Sequence, residues 1–597
     1  MYDREGKVAD AETIYTQAND SLFHRFQYSF SYMTEKDRLS FLDKVTEDFH
    51  AYFSFVHRNR EQNPQLIGSM YNLLLWEKGF VAGSVTNMRS QVEASGDPEA
   101  LKLLGQLTDK RTQIAALLNV TPTNRDQWRK QVEQLEADAS DIERALVARS
   151  SAFAEQKQLE RATWQQVRDA LKPGEAAVEF ARFQYSEYHQ LHWTFRTYYV
   201  ALEVTQASKD HPQYVFLGDD KQIESDAIAH FQHALQTRGF QQQPQAALPG
   251  PHAYDLIWKP LDSALAGITR IDLAPDGSLN QVPLGIIPAP DGKLLMERYD
   301  LRLVSSTRDI LRSAPSRSAS TTALLVGNPV FDLSEDQQRA AIQKLALPQQ
   351  KQRVLVADLP SAGRSRDLAG GTVLPPLPGT GAEVSSIAVL MQKQGWKTAV
   401  YTGDEALKTA VEQTGSPRVV HLATHGFFLP DQEFKASQPG VAPADASPAA
   451  VEDPMLRSGL YFAAADRTLA GKPSPPGLDN GVLTALEAGN LNLTGTQLVV
   501  LSACNTGQGD VKNGEGVFGL RRALEEAGAQ SVMMSLWSVP DKETQELMQR
   551  FYSKWLAGAE IHQALKDAQL EMREQVKTEH DGKDLPYYWA AFVLVGR

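Results

Sequence analysis

From about residue 255 onward, short apolar runs alternate with helical stretches. The runs are Ile271 to Ala274, Leu301 to Val304, Ala323 to Gly327, Ala399 to Tyr401, Val419 to Ala423, Leu498 to Ser502, Ser531 to Leu536 and Ala591 to Val595. Alternation of this kind predicts an α/β fold, a mostly parallel sheet with helices on both faces. In such sheets, ligands and chemistry gather at the carboxyl ends of the strands. Two of the runs end in a reactive side chain, a small residue and a loop. One passes through His421 into Thr424-His425-Gly426, and the other into Ala503-Cys504-Asn505. A His at one strand end and a Cys at another is the arrangement that thiolate catalysis needs. The imidazole takes the thiol proton and the thiolate attacks a carbonyl. Cys504 is the only cysteine of the chain, so it has no rival thiol.

Length and composition bound the reading. A chain of 597 residues is too long for one ordinary core, which predicts two or more domains. A hydrophobic content of 42% suffices for a packed globular protein. The net charge of −13 argues against nucleic acid as the main ligand, because phosphate contacts need basic patches. One cysteine allows no internal disulfide and points to a reducing compartment. Met1 to Gly6 has no basic stretch followed by an apolar run, so it does not read as a signal peptide, and no apolar stretch approaches a membrane span. The expectation is a cytoplasmic protein with no membrane partner.

Residues 10 to 162 read as helical almost throughout. Thr34 to Asp37 is a capping-box start leading into Leu39, Leu42, Val45, Phe49, Phe53 and Val56 on one face. Pro64 marks a break before an apolar helix from Leu66 to Phe80. Asp97-Pro98 caps a third helix, Thr123 to Asp126 a fourth, and the last two read as an antiparallel hairpin. The repeat of about 34 residues typical of tetratricopeptide arrays does not show here. These helices either serve the following core or carry a partner's signal. Near residue 163 the composition shifts to strands at Ala176 to Phe180, Trp193 to Val204 and Tyr214 to Leu217. Two stretches rich in Pro, Ala, Gly, Ser and Asp, Val356 to Gly381 and Leu429 to Arg457, read as long loops.

His421 and His425 stand four apart on one strand and share a side. No second ligand cluster with zinc spacing follows, so a metal site is not expected. His421 lies inside the apolar run and reads as packed and structural, whereas His425 lies at the strand end. Cys504 has a bland reading as a buried small hydrophobe. Against it, Asn505-Thr506-Gly507-Gln508-Gly509 cannot continue the strand, which leaves the thiol at a sheet edge. Gly514 to Gly516 lacks the Gly-Lys-Ser/Thr ending of a phosphate loop and reads as the start of a helix closed by Gly528.

The words around these residues resemble the CHAT family, caspase-like cysteine peptidases often attached to tetratricopeptide repeats. They are His421 to Phe428 (HLATHGFF), Ser458-Gly459-Leu460, Asp479 to Ala485 (DNGVLTA), Leu501 to Gly507 (LSACNTG), Gly514 to Val517, Ser535 to Val539 (SLWSV) and Tyr587 to Val593. The resemblance covers roughly residues 165 to 597. It implies a caspase-like peptidase domain over 163–597, with a strand-rich entry at 163–250 and a catalytic part at 251–597. A helical connector or regulatory segment over 1–162 precedes it. It implies a cysteine endopeptidase acting on a protein substrate with no cofactor. Cys504 is the nucleophile, and His425, the His followed by Gly, is the base. The N–H groups of Gly426 and Cys504 form an oxyanion hole. Ser502 stands where clan members shape the specificity pocket, and being small and neutral it implies cleavage neither after Asp nor after Arg or Lys. Ser535, Trp537 and Ser538 are the implied strand that pairs with substrate, with Trp537 as a pocket wall or a core residue. Asp510 and Glu515 read either as an acidic pocket or as solvated carboxylates. The caspase word Gln-Ala-Cys, with its His about 50 residues upstream, does not transfer here. A regulatory partner at the helical segment is expected. A silent caspase-like scaffold, and a different hydrolase or acyltransferase using the same thiolate, stand as alternatives.

Overall fold

In the computed structural model, the described residues are 7–30, 35–78, 92, 95–118, 120–122, 125–154, 162–189, 192–236, 252–312, 320–345, 361–364, 373–428, 455, 457–472, 474–475, 477–503, 510–512 and 516–596. The chain opens with helices α1 (Val8–Phe30), α2 (Glu35–Asn59), α3 (Gln65–Glu77), α4 (Pro98–Leu118) and α5 (Arg125–Ala154). Asp97 caps α4 by accepting from the N–H of Glu99 at 3.0 Å, and Pro98 takes the first helical position, where its missing N–H costs nothing. Helices α4 and α5 pack as a hairpin around Leu107, Ile114, Leu146 and Val147.

An 11-stranded sheet follows. Its strands in chain order are β1 (Glu175–His189), β2 (His192–Thr205), β3 (Gln213–Asp219), β4 (Arg270–Ala274), β5 (Asp300–Leu303), β6 (Thr322–Pro329), β7 (Lys397–Gly403), β8 (Val419–Ala423), β12 (Leu498–Leu501), β13 (Ser531–Ser535) and β14 (Phe592–Gly596). Strands β9 to β11 form a separate small sheet: Gly426–Phe428, Ser458–Tyr461 and Val482–Thr484, all antiparallel. The large sheet runs β3-β2-β1-β4-β5-β14-β13-β12-β8-β6-β7. Pairing is antiparallel between β3 and β2, β2 and β1, and β13 and β14, and parallel elsewhere. Every apolar run read as a strand thus lies in one continuous sheet, including the strand-rich entry.

Both faces are covered. On one face, Val419 and Ala423 of β8 and Leu498 and Val500 of β12 pack against α6 (Pro378–Lys393), α8 (Asp541–Leu556) and α9 (Ile561–Glu579). On the other, Val420, Leu422, Val499 and Leu501 pack against α7 (Leu520–Glu526) and the small sheet. This strict alternation is the period-2 geometry of a strand buried on both sides. Helices α1 to α3 close the face of β1 and β2 through Phe49, Phe53, Val56, Met70 and Leu74. Two sequence expectations shift. Within Val356 to Gly381, Ser361–Arg364 is a short strand paired with Val120–Pro122, and Pro378 starts α6, with Gly379 and Gly381 disguising the helix by their poor propensity. Of the stretch Gly514 to Gly516, read as a helix start, only Gly516 lies among the described residues, and it does not start a helix. Gly516–Phe518 is a short strand paired with Asp510–Lys512, as the β-branched and aromatic pair Val517-Phe518 favours, and α7 begins at Leu520.

A buried ion pair ties the helices to the sheet. Lys78, just past α3, meets Glu179 of β1 at 2.9 Å, the side chains being 3% and 0% exposed. Glu179 also accepts from Ser306 and from the N–H and hydroxyl of Thr307. Lys78→Met would leave that carboxylate without its counter-charge, and should lower unfolding stability by about 3–5 kcal/mol in a urea melt.

Glu203 of β2 presents a second buried carboxylate. Its Oε2 is buried with no hydrogen-bond partner among the described residues, and burial pushes its carboxyl up to about 7. The unfolded chain releases this proton near 4.5, whereas the fold holds it to about 7, so stability falls as pH rises across that window. Glu203→Gln should be more stable than wild type above pH 7, by up to about 3 kcal/mol, and the two proteins should converge below about pH 4 in parallel thermal melts.

Candidate active site

The register of two strands builds the site. Strands β8 and β12 pair in parallel, Val419 with Leu498 and Leu422 with Leu501, and the Ser502 N–H extends the ladder to the Leu422 carbonyl at 2.9 Å. The same offset separates His425 from Cys504. The last paired residues, Leu422 and Leu501, precede His425 and Cys504 by the same three positions in the chain. Side-chain alternation puts residues 421 and 425 of one strand, and 500 and 502 of the other, on the face covered by α6 and α8. Cys504 itself lies outside the described residues, as does Glu515, and the side chain of Asp510 does too.

His425 is held at several points. Its Nε2 donates to the carbonyl oxygen of Pro375 at 2.9 Å, its ring lies 5.4 Å from that of Phe331, and its own carbonyl accepts from the Tyr461 N–H at 2.9 Å. A carbonyl only accepts, so Nε2 carries the proton and Nδ1 of the neutral ring keeps a lone pair. Two carboxylates share this neighbourhood. Burial raises the carboxyl of Asp466, with the Leu374 N–H and His425 pulling it the other way. Burial likewise raises Asp541, assisted by Glu383 and opposed by His425.

Gly426 begins β9 opposite Leu460 of β10. The bond between the flanking residues, from the Tyr461 N–H to the His425 carbonyl, makes Gly426 and Leu460 a non-hydrogen-bonded pair. The Gly426 N–H therefore points away from β10 and is not spent on that ladder.

His421 is fully buried between Glu383, at 2.8 Å from Nε2, and the Tyr552 hydroxyl, at 3.1 Å from Nδ1. The Asp479 to Ala485 word is also a structural knot. Asn480 accepts from Lys408 Nζ at 2.8 Å and from the Val482 N–H at 3.1 Å, and Asp479 accepts from the Gly481 and Thr409 N–H groups. Thr484 and Glu487 form a capping box, and Glu487 also pairs with Lys408 at 3.0 Å. Gly481 sits at φ +68, and a Cβ there would come within 2.6 Å of the Ala465 nitrogen, so only glycine fits.

The residues expected to hold substrate divide. Ser502 is 5% exposed, and its Oγ is buried with no hydrogen-bond partner among the described residues. Ser535 donates its hydroxyl to the Ala503 carbonyl, which anchors the residue before Cys504 to β13. Ser538 is exposed just beyond the strand. Trp537 is a correction to its reading as a pocket wall. It is 5% exposed in the main core, and its indole N–H donates to the Tyr587 carbonyl at 3.0 Å. The Pro375 carbonyl, Phe331, Asp466 and Asp541 escaped sequence reasoning. A backbone carbonyl leaves no mark in a sequence, and the two Asp residues come from helices far along the chain. Among the described residues, no group of three His, Cys, Asp or Glu side chains stands close enough to hold a metal, and no helix is long and apolar enough to cross a membrane.

A family model described as the CHAT domain matches residues 248–597. Tetratricopeptide repeat protein 28 of Homo sapiens is 26% identical over 366 residues, covering 58% of this chain and 13% of the relative. The Mus musculus protein of the same name is 25% identical over 360 residues, with the same shares of 58% and 13%. The chain thus spans only 13% of the length of these curated relatives. Among solved structures, the Arg-specific cysteine proteinase gingipain R aligns with a TM-score of 0.31 at 10% identity, over 56% of this chain and 64% of that one. A Saccharomyces cerevisiae separase–securin complex aligns with a TM-score of 0.36 at 10% identity, over 99% and 48%.

The placement of Trp537 yields a prediction. Trp537→Ala should destabilise the fold by about 3–5 kcal/mol, the cost of emptying a large core site, as read by chemical denaturation. A stability equal to wild type would return the ring to the surface.

Proposed function

Since this chain belongs to the CHAT domain family and carries its caspase-like α/β fold, we propose that it is a cysteine endopeptidase cleaving protein substrates with a Cys504–His425 dyad. The observation that carries the reading is the shared offset: the β8–β12 register equals the spacing from His425 to Cys504. In this mechanism Nδ1 of His425, left as the acceptor by the Nε2–Pro375 bond, takes the thiol proton. The thiolate attacks the scissile carbonyl, forming a C–S bond, and the oxyanion accepts from the N–H groups of Gly426 and Cys504. Collapse expels the amine, which takes the proton back from His425. Water then hydrolyses the thioester, with the same imidazole as base. Asp466 and Asp541 favour the imidazolium that forms between these steps.

Ser502 is assigned to the specificity pocket on the family resemblance, and its unpartnered Oγ supports a role in holding a substrate side chain. The backbone at Ser535 to Ser538 is the segment for pairing with an extended peptide, Trp537 acting there as a buried anchor. The helical segment is the place for a regulatory protein partner. Helices α1 to α3 share a core with β1 and β2, and Lys78 reaches Glu179 inside it, so a partner that shifts α3 acts directly on the sheet.

Cleavage of a peptide library by the full chain tests the reading. Cys504→Ala and His425→Ala should each lower kcat/KM by on the order of 10³-fold or more, with circular dichroism unchanged. Cleavage by Cys504→Ala at the wild-type rate, or an active His425→Ala beside a folded but inactive His421→Ala, would sink the dyad.

A further inference from the structure

The segment from Leu374 to Glu383 touches both His421 of β8 and His425 just beyond it. At its start, the Leu374 N–H donates to Asp466 at 3.1 Å and the Pro375 carbonyl accepts from Nε2 of His425. At its end, Glu383, 1% exposed, accepts from Nε2 of the fully buried His421 at 2.8 Å. The stretch between them has little slack. Thr380 Oγ1 donates to the Leu377 carbonyl at 2.8 Å and accepts from the Asn328 N–H, also at 2.8 Å. The Thr380 carbonyl lies so close to β6 that a Cβ on Gly327 would come within 2.6 Å of it. A Cβ on Gly379 would come within 2.6 Å of the Cβ of Asp541 on α8. The segment is therefore fixed by β6, by α8 and by β8.

The buried end has its own logic. A carboxylate only accepts, so Nε2 of His421 carries a proton. In the neutral ring Nδ1 then accepts from the Tyr552 hydroxyl, so that Glu383, His421 and Tyr552 form one connected line of hydrogen bonds. Burial raises the Tyr552 hydroxyl well above its ordinary value, with the Glu383 charge adding to it, so the tyrosine keeps the proton this arrangement needs. Glu383 has no part in the chemistry proposed above, yet a charge-assisted bond at full burial holds two elements at a definite spacing.

We infer that Glu383 is a positioning residue for His425. Its grip on His421 sets where α6 sits along β8, and that spacing keeps the Pro375 carbonyl on Nε2 of His425 and the lone pair on Nδ1. The consequence at Cys504 rests on the thiol-peptidase reading, whereas the tautomer of His425 is a property of the chain whether or not it cleaves anything.

The test uses the full chain labelled with 15N-histidine, the His425 signal being identified by its loss in His425→Gln. Wild type should show His425 as a single Nε2–H tautomer. Glu383→Gln should turn this into a mixture of tautomers. It should also slow iodoacetamide alkylation of Cys504, the lone thiol, by on the order of 10- to 100-fold. Gly379→Ala, which drives the segment off Asp541 without touching Glu383, should do the same, and it carries the test if Glu383→Gln fails to fold. In peptide cleavage, both variants should lose kcat at unchanged KM, since neither position reaches a substrate. An unaltered His425 tautomer in folded Glu383→Gln and Gly379→Ala would overturn the inference. A wild type that cleaves no peptide would sink the peptidase reading instead, and the His425 spectrum would still decide on Glu383.

Discussion

The parallel ladder between β8 and β12 is the constraint on which the rest depends. Both strands are buried on both faces, so their register is fixed twice, once by the core around α6, α8 and α9 and once by the core around α7. A slip of one residue would turn His421 and His425 onto the opposite face and bury apolar side chains against the wrong partners. Each fully buried Val or Leu contributes roughly 1.5–3 kcal/mol, so such a slip is prohibitive. The carboxyl edge that carries His425 is set by this ladder, and Cys504 follows its own strand at the same number of positions along the chain.

Polar groups then fix what apolar packing leaves free. Apolar contacts are non-directional, whereas Glu383, Lys408 and Lys78 each engage partners at definite distances inside the fold. Burying such groups is costly and adds little net stability. Their common effect is to lock elements in register: α6 on β8, the Asp479 to Ala485 turn on Lys408, and α3 on β1. The words that mark the family divide along this line. HLATHGFF supplies one structural and one candidate reactive histidine, and DNGVLTA supplies a turn and a capping box that support the ledge carrying Asp466.

The surroundings of His425 show the same separation between holding and reacting. Its ring is oriented by a backbone carbonyl and an aromatic face, and the carboxylates of Asp466 and Asp541 act on it through charge. The carbonyl fixes the ring's orientation through Nε2–H, while nearby carboxylates favour the cation once a proton arrives. A ring that must take up and return one proton needs both properties.

The apolar runs alone specify the strands of the sheet. Each apolar run is short, apolar on both faces and bounded by loop residues, and burial leaves such a segment no other place than a central strand. The same runs also mark which residues stand at strand ends, because alternation and chain breaks are local properties. The tertiary structure alone decided the order of the strands, the antiparallel return of β14 beside β13, and the placement of the entry strands in the same sheet. It decided as well that Trp537 faces the core, although its neighbours gave no sign of which side would be covered. Pro375, Asp466 and Asp541 reach His425 from three separate segments, and Glu383 reaches His421 from the first of these. Such contacts arise from how helices lie across a sheet. That is set by the summed packing of the whole core and leaves no trace in the spacing of the residues concerned.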